Sequence, residues 1–170
     1  MTPKNYLDNV VLKTWDGRGT QEQCFYGFLE EFGEITGKLR KAHRDDVPEE
    51  EKTRLLKKEL GDYIWYLTHL AYLRKSVDFD SIQFKQDNLD ANSDKFRAVL
   101  ENEIKIGALT EAIANDDYKL EQRMMGKLFE GFTDMSNALG FEVQDILKTS
   151  ANKLFSRMLR GKMHGSGDER

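Results

Sequence analysis

The sequence predicts an all-α protein, a bundle of about five or six helices. Of the 170 residues, 33% are charged and only 2 are proline, which is a composition typical of long solvated helices. Apolar residues recur every three or four positions through most of the chain, and no segment alternates as a strand would. The length fits a single domain, residues 1–170, that buries its own core.

The ends of the helices are marked by residues that favour caps. Thr20 is a candidate N-cap, and Asp46 with Pro48 and three following glutamates predicts a strong helix start, because acids favour the positive end of the helix dipole. Ser93 is a second candidate cap, and Gly140 is a natural C-cap. The predicted helices cover residues 4–15, 20–43, 48–74, 93–114, 117–139 and 142–160, with a less regular connector over 78–92.

Charge and cysteine content exclude several classes of protein. A formal net charge of −4 gives no case for binding a nucleic acid polymer or a membrane. No run approaches the ~20 apolar residues of a membrane span, and residues 1–10 lack the apolar core of a signal peptide. The single cysteine, Cys24, excludes an internal disulfide and fits a reducing compartment, so we expect a cytoplasmic protein with Cys24 as a packing residue.

The chain also has a basic end and a hint of internal duplication. Residues 150–170 form a basic C-terminal arm on an otherwise acidic chain. The helical hairpin at 20–75 is echoed at 93–140, where a shift of 74 residues places GALT at 107–110 under GEIT at 33–36. The identities are few, so two interpretations stay open: a degenerate tandem repeat with a catalytic and a scaffold half, or two unrelated amphipathic hairpins.

Two pairs of acidic residues carry the chemical signal. Glu31 and Glu34 are three residues apart, as are Glu59 and Asp62, and residues at this spacing share a helix face. An antiparallel hairpin would set the pairs opposite each other, where four carboxylates repel unless cations lie among them. One pair alone is typical of a solvated surface. Two matched pairs on consecutive helices, each with an internal glycine, favour a metal site.

The residue types of the predicted ligands indicate which metal ions the site would bind. Oxygen ligands without histidine or cysteine favour Mg²⁺ or Mn²⁺ over zinc. A di-iron carboxylate bundle would use Glu-x-x-His pairs on two of its helices. None of His43, His69 and His164 has a glutamate three residues before it, so the sequence favours Mg²⁺ or Mn²⁺ over a di-iron centre.

The same segments resemble a known family. FLEEFGEI at 28–35, followed by KELGDYIWYL at 58–67, resembles the paired motif of the MazG-like all-α NTP pyrophosphatase superfamily. That superfamily also contains dimeric dUTPases and phosphoribosyl-ATP pyrophosphohydrolases. NKLFSR at 152–157, Arg160-Gly161 and GSGDER at 165–170 resemble the ending of short MazG-like proteins. The resemblance covers about half of the 170 residues.

The resemblance implies a function and a set of ligands. The expected reaction is hydrolysis of a nucleoside triphosphate to the monophosphate and pyrophosphate, with Mg²⁺ as cofactor, Mn²⁺ as an alternative, and a homodimer as the assembly. Lys153 and Arg157 would bind the phosphates of the nucleotide substrate. The four metal ligands would be Glu31, Glu34, Glu59 and Asp62.

Further residues are candidates in this mechanism. Glu30 or Glu34 would accept the proton of the attacking water, and Arg160 would assist in binding phosphate. Trp65 would stack on the base, although a core position suits this residue as well. Glu30 stands where many relatives carry glycine, so whether Glu30 or Glu31 leads the metal site is open. Two other classes also fit: a helical interaction module that lost catalysis, and a metal-dependent hydrolase of other phosphorylated metabolites.

Overall fold

The computed structural model describes residues 1–15, 17, 19–90 and 92–161, and these residues form six helices and no strand, which confirms the predicted all-α fold. Helix α1 consists of Pro3–Tyr6, a π-helical segment Leu7–Val11 and a final turn Leu12–Thr14. The other helices are α2 (Gln21–Arg44), α3 (Glu49–Arg74), α4 (Lys95–Ala114), α5 (Tyr118–Ala138) and α6 (Val143–Leu159).

Two of the predicted helix ends are confirmed in detail. Thr20 caps α2 in a reciprocal capping box, because its hydroxyl accepts the Gln23 N–H at 3.2 Å while the Gln23 side chain accepts the Thr20 N–H at 3.0 Å. Gly140 follows α5 with a φ of +91°, a left-handed conformation that glycine adopts without the steric cost of a Cβ atom.

Two other caps were predicted at the wrong residue. Pro48 itself holds the N-cap position of α3, with extended backbone and no side-chain hydrogen bond, so Asp46 lies outside the helix. The three glutamates still occupy the first turn of α3, where they favour the helix dipole. Asp94, not Ser93, caps α4, because its carboxylate accepts the Arg97 N–H at 2.9 Å.

Helix α3 is the centre of the packing. It forms one antiparallel hairpin with α2, while α4 and α5 form a second hairpin. Helix α3 also contacts α1, α5 and α6. Tyr63 of α3 contacts both hairpins, since its ring packs against Phe28 of α2 at a centroid distance of 5.1 Å and against Phe132 of α5 at 6.1 Å. The two hairpins thus share one core.

A buried ion pair also ties the two hairpins together. Arg74 at the end of α3 binds both carboxylate oxygens of Glu121 on α5, at 2.6 and 2.7 Å. Glu121 is buried, so the charge of Arg74 compensates an acid that water cannot reach. Whether the hairpins are repeats of each other stays a prediction.

Two predictions concern the chain ends and membranes. In the described part of the chain, no helix has the length and apolar character that crossing a membrane would require. Within the basic arm, residues 150–161 continue or follow α6. Residues 162–170, which include the GSGDER motif, lie outside the described residues.

Candidate metal centre

Helices α2 and α3 bring three of the predicted acids together. Glu31 of α2 and Glu59 and Asp62 of α3 each place one carboxylate oxygen within 4.8 Å of the other two. We call these three residues the acidic cluster. The apolar faces of both helices are buried against each other, with Phe32 and Leu60 in the core, so the helix pairing itself fixes the acids at the edge of that core.

Glu59 is the most deeply buried member of the acidic cluster, with only 1% of its surface exposed. Its Oε1 atom accepts no hydrogen bond, although the Nζ atoms of Lys38 and Lys58 lie 3.4 and 3.5 Å away. Burial raises the pKa of Glu59, and the negative charge of Glu34 adds to this, while the two lysines oppose it. Two ammonium groups therefore compensate the charge of Glu59 Oε1, although neither forms a hydrogen bond with it.

Glu31 is the least compensated acid of the acidic cluster. In the part of the chain that the structure describes, its half-buried carboxylate forms no ion pair. Burial and then the charges of Asp62, Glu59 and Glu34 raise the pKa of Glu31 to about 8, and the charge of Lys153 only partly opposes this. The ionised form of Glu31 is therefore costly unless a cation is bound beside it.

Asp62 connects the acidic cluster to α6. Its carboxylate forms an ion pair with Lys153, and both side chains are partly buried. Burial lowers the pKa of Lys153, and the nearby charges of Arg157 and Lys58 lower it further, while Asp62 raises it. Of the two predicted phosphate ligands, Lys153 contacts the acidic cluster through Asp62, and Arg157 lies close enough to Lys153 to lower its pKa.

The two remaining acids take different positions. Glu34 borders the acidic cluster: it raises the pKa of both Glu31 and Glu59, and its carboxylate lies 4.0 Å from Lys38 Nζ with 39% of the side chain exposed. Glu30 is exposed and lies outside the acidic cluster. The reason is the helix period, because one residue rotates the side chain by about 100° and three residues return it to nearly the same face.

The other predicted substrate ligands have contacts of their own. The Trp65 indole N–H donates to Thr14 Oγ1 at 3.1 Å, and its ring packs edge-on against Tyr66 and His69. These contacts engage Trp65 in the packing of α1 on α3, and stacking on a base stays a prediction. Arg160 is exposed at the C-cap of α6, where its Nε atom donates to the Ser156 carbonyl at 3.2 Å.

Sequence reasoning missed two lysines at the site. Lys38 and Lys58 both approach Glu59, and only 18% of each lysine side chain is exposed. The signal for Lys38 was present, since it follows Glu34 by four residues and therefore lies on the same helix face. Lys58 directly precedes Glu59, and adjacent helical residues point in different directions, so spacing alone could not identify it.

Two hydroxyl groups that hydrogen-bond to each other connect α1 and α6 to the α3 backbone next to Asp62. Ser150 of α6 donates to the Gly61 carbonyl at 3.1 Å, and the Tyr6 hydroxyl of α1 donates to Ser150 Oγ at 2.8 Å. A Cβ atom on Gly61 would lie 3.0 Å from the Ser150 Cβ atom, so a larger residue here would require α6 to move away from α3 by a few tenths of an ångström. Gly61 adjoins Asp62 and Ser150 lies one turn before Lys153, so this contact sets the distance between the two charged partners.

A second glycine, Gly27, allows the ring of Tyr66 to pack closely against α2 near the acidic cluster. A Cβ atom on Gly27 would lie only 2.3 Å from the ring of Tyr66, which therefore rests directly on the α2 backbone. Burial raises the pKa of Tyr66, and the charge of Glu31 raises it further. The Tyr66 ring thus lies near the acidic cluster, as its position four residues after Asp62 could have suggested.

The chain matches no protein-family model, no curated protein and no solved structure. The resemblance of residues 28–35 and 58–67 to the MazG-like superfamily therefore stays a prediction. The function is inferred from the acidic cluster and the lysines around it.

Proposed function

We propose that this protein is a Mg²⁺-dependent nucleotide pyrophosphohydrolase of the MazG-like type, which hydrolyses a nucleoside triphosphate to the monophosphate and pyrophosphate. The observation that carries the proposal is the acidic cluster itself: three carboxylates converge, Glu31 has no ion-pair partner among the described residues, and a Glu59 oxygen accepts no hydrogen bond. A divalent cation would satisfy both groups at once.

The composition of the site supports Mg²⁺ over other metals. Its ligands are carboxylate oxygens, which suit Mg²⁺ and Mn²⁺ and do not select zinc. His69, the one histidine on α3, packs edge-on against Trp15 and Trp65, and burial lowers its pKa to about 4. His69 is not one of the residues that converge in the acidic cluster.

An ordinary surface cluster does not account for the arrangement. Solvated acids adjust their separation freely, whereas Glu31 and Glu59 have raised pKa values because burial and mutual repulsion disfavour their charged forms. Groups with such strongly perturbed pKa values concentrate at functional sites. Repulsion among these buried acids lowers the folding stability of the chain, and such a local loss of stability is common at binding sites.

In the proposed reaction, Glu31, Glu59 and Asp62 hold Mg²⁺. The bound ion would supply neutralisation of the phosphate oxygens and a lowered pKa for the attacking water. Glu34 borders the acidic cluster and is open to solvent, so we assign it the proton from that water. Glu30 faces solvent, and we give it no part in the reaction.

The lysines would bind the polyphosphate. The ion pair between Asp62 and Lys153 places an ammonium group beside a carboxylate that would bind Mg²⁺. With Asp62 bound to Mg²⁺, Lys153 would be available to bind the departing pyrophosphate. Arg157 lies beside it for the same purpose, and Lys38 and Lys58 are placed to add positive charge.

The decisive experiment measures pyrophosphate and nucleoside monophosphate release from a panel of nucleoside triphosphates, with Mg²⁺, with Mn²⁺ and with EDTA. We expect metal-dependent release from at least one nucleotide, with a loss of at least about 100-fold in Glu31→Gln and in Asp62→Asn. The matched control is Glu50→Gln, an exposed acid in the first turn of α3, which should keep wild-type activity.

Each other outcome points to a specific alternative. If Mg²⁺ raises the thermal stability but no nucleotide is cleaved, the chain is a helical module that binds metal without catalysis. If a phosphorylated metabolite is hydrolysed instead, the protein is another metal-dependent hydrolase. Full activity in Glu31→Gln and Asp62→Asn would refute the assignment of the acidic cluster as the metal site.

A further inference from the structure

A polar cleft lies between α5 and the segment of chain that joins α3 to α4. Its volume is about 620 Å³, which is within the ~300–1,000 Å³ of most small-molecule sites. One wall is formed by residues 76–78 and 81–85, and the other by Gln122, Gly126 and Glu130 of α5. The acidic cluster contributes no residue to this cleft, so the two are separate features of the molecule.

The α5 wall of the cleft follows from the helix period. Gln122, Gly126 and Glu130 are spaced by four residues and therefore lie along one face of α5. A Cβ atom on Gly126 would meet no heavy atom within 4 Å, so close packing against a neighbour does not require glycine at this position. The helix backbone is thus open to the cleft here, and a larger residue would extend its side chain into that space.

A buried hydroxyl group borders the cleft. Ser76 directly follows the end of α3 and is only 1% exposed. Its Oγ atom has no hydrogen-bond partner among the residues that the structure describes. Leaving a buried hydroxyl group without a partner costs free energy, and most such groups in native proteins have one. A ligand that carries N–H groups would supply the partner that Ser76 lacks.

The charges of the cleft favour a cationic ligand. Of its three charged residues, Lys85 is paired with Asp134 at 2.7 Å and Glu130 with Lys127 at 2.9 Å. Asp78 forms no ion pair within the described ranges of the chain. Its exposed carboxylate is therefore the one charge of the lining that no opposite charge of the described residues compensates.

Partly buried apolar side chains line the same cleft, namely Val77, Ile82 and Phe84. We propose that the cleft binds an aliphatic diamine. One ammonium group pairs with Asp78 and donates to Ser76 Oγ, and the methylene chain covers the apolar side chains. The second ammonium group shares Glu130 with Lys127, because an exposed ion pair contributes little and is easily rearranged. A dicarboxylate of the same length would be repelled by Asp78.

Titration calorimetry on the full, metal-free chain tests this proposal with 1,4-diaminobutane, and 1,4-butanediol serves as the uncharged analogue. We expect a dissociation constant on the order of 100 µM for the diamine and binding at least about tenfold weaker for the diol. Asp78→Asn should weaken diamine binding by at least about fivefold. The matched control is Asp80→Asn, an exposed acid two residues away that does not line the cleft, which should bind like the wild type.

A second pair of variants tests the cleft by its shape. Gly126→Leu should block the diamine, because the new side chain enters the cleft, whereas Gly107→Leu on α4 should not. A Cβ atom on Gly107 also meets nothing within 4 Å, so both variants keep the same local freedom. Circular dichroism of each variant shows whether the helices are retained.

Three results would overturn the proposal. The first is no binding of the diamine up to about 10 mM, and the second is equal binding of the diol. The third is diamine binding that Asp78→Asn and Gly126→Leu leave unchanged but Glu31→Gln removes, since that would place the amine at the acidic cluster. None of these results bears on nucleotide hydrolysis, because the cleft contains none of the residues proposed for that reaction.

Discussion

Replacing Glu31 by glutamine should stabilise the metal-free protein at alkaline pH, because it removes the least compensated charge of the acidic cluster. The pKa of Glu31 is raised from 4.5 to about 8, first by burial and then by Asp62, Glu59 and Glu34. Between these two pH values the folded state holds a proton that the unfolded state has released. The free energy of unfolding therefore falls as the pH rises through this window, and above the folded-state pKa the loss is complete.

The magnitude follows from the two pKa values. If the whole difference were realised, the ionisation of Glu31 would cost roughly 5 kcal/mol of unfolding free energy. Glu31 is only partly buried, so solvent screening reduces this figure to about 2 kcal/mol. With excess Mg²⁺ the sign reverses, because ionised Glu31 then binds the cation. Saturation at 100 times the dissociation constant stabilises a protein by about 2.7 kcal/mol.

Urea unfolding followed by circular dichroism measures both effects, in EDTA and in excess Mg²⁺, at about pH 5.5 and about pH 8.5. In EDTA, the wild type should lose about 1.5 kcal/mol between the two conditions, because the part of the window below pH 5.5 is not sampled, and Glu31→Gln should lose less than half as much. The neighbouring exposed residue gives the control, since Glu30→Gln should follow the wild type. If Glu31→Gln is no more stable than the wild type at the higher pH in EDTA, the electrostatic description of the acidic cluster is incorrect.

Two further predictions concern the groups around the acidic cluster. Gly27→Ala should lower the free energy of unfolding by about 1–2 kcal/mol, because the added Cβ atom would meet the Tyr66 ring, whereas Gly33→Ala should raise it by about 0.5–1 kcal/mol, because a Cβ atom there meets nothing within 4 Å. Urea titration separates the two, and equal shifts would contradict the geometry. Lys153→Met should tighten Mg²⁺ binding severalfold, since Asp62 loses its competing ammonium group. Titration calorimetry would disprove this if the affinity were unchanged or lower.

The helices could be predicted because their signals are local. Apolar spacing identified all six helices. The cap at Thr20 and the helix end at Gly140 could also be predicted, because each depends only on residues that are close in sequence. The two wrongly predicted caps show that local sequence does not decide between neighbouring residues that both suit a cap position. Asp46 and Pro48 both suit a helix start, and the choice between them depends on where the extended backbone turns into α3. Ser93 and Asp94 pose the same ambiguity one residue apart.

The candidate site was partly predictable for a related reason. The spacing of Glu31 to Glu34 and of Glu59 to Asp62 is a property of two neighbouring helices, and a short connection between the helices sets the pairs opposite each other. The relation of Lys153 to Asp62 spans 91 residues and depends on how α6 docks on α3, which no local pattern specifies. The family resemblance implied a phosphate-binding role for Lys153, but its ion pair with Asp62 required the three-dimensional structure.

The close contact of α6 with α3 explains why Gly61 lies within the second acidic pair. A glycine inside a helix costs about 1 kcal/mol relative to alanine, so its presence there calls for a compensating role. That role is the approach of Ser150, whose hydroxyl donates to the Gly61 carbonyl and accepts from Tyr6. Because Lys153 lies one turn beyond Ser150, this contact sets the position of its ammonium group relative to Asp62. The glycine therefore acts on the charge balance of the acidic cluster without contacting a metal or substrate itself.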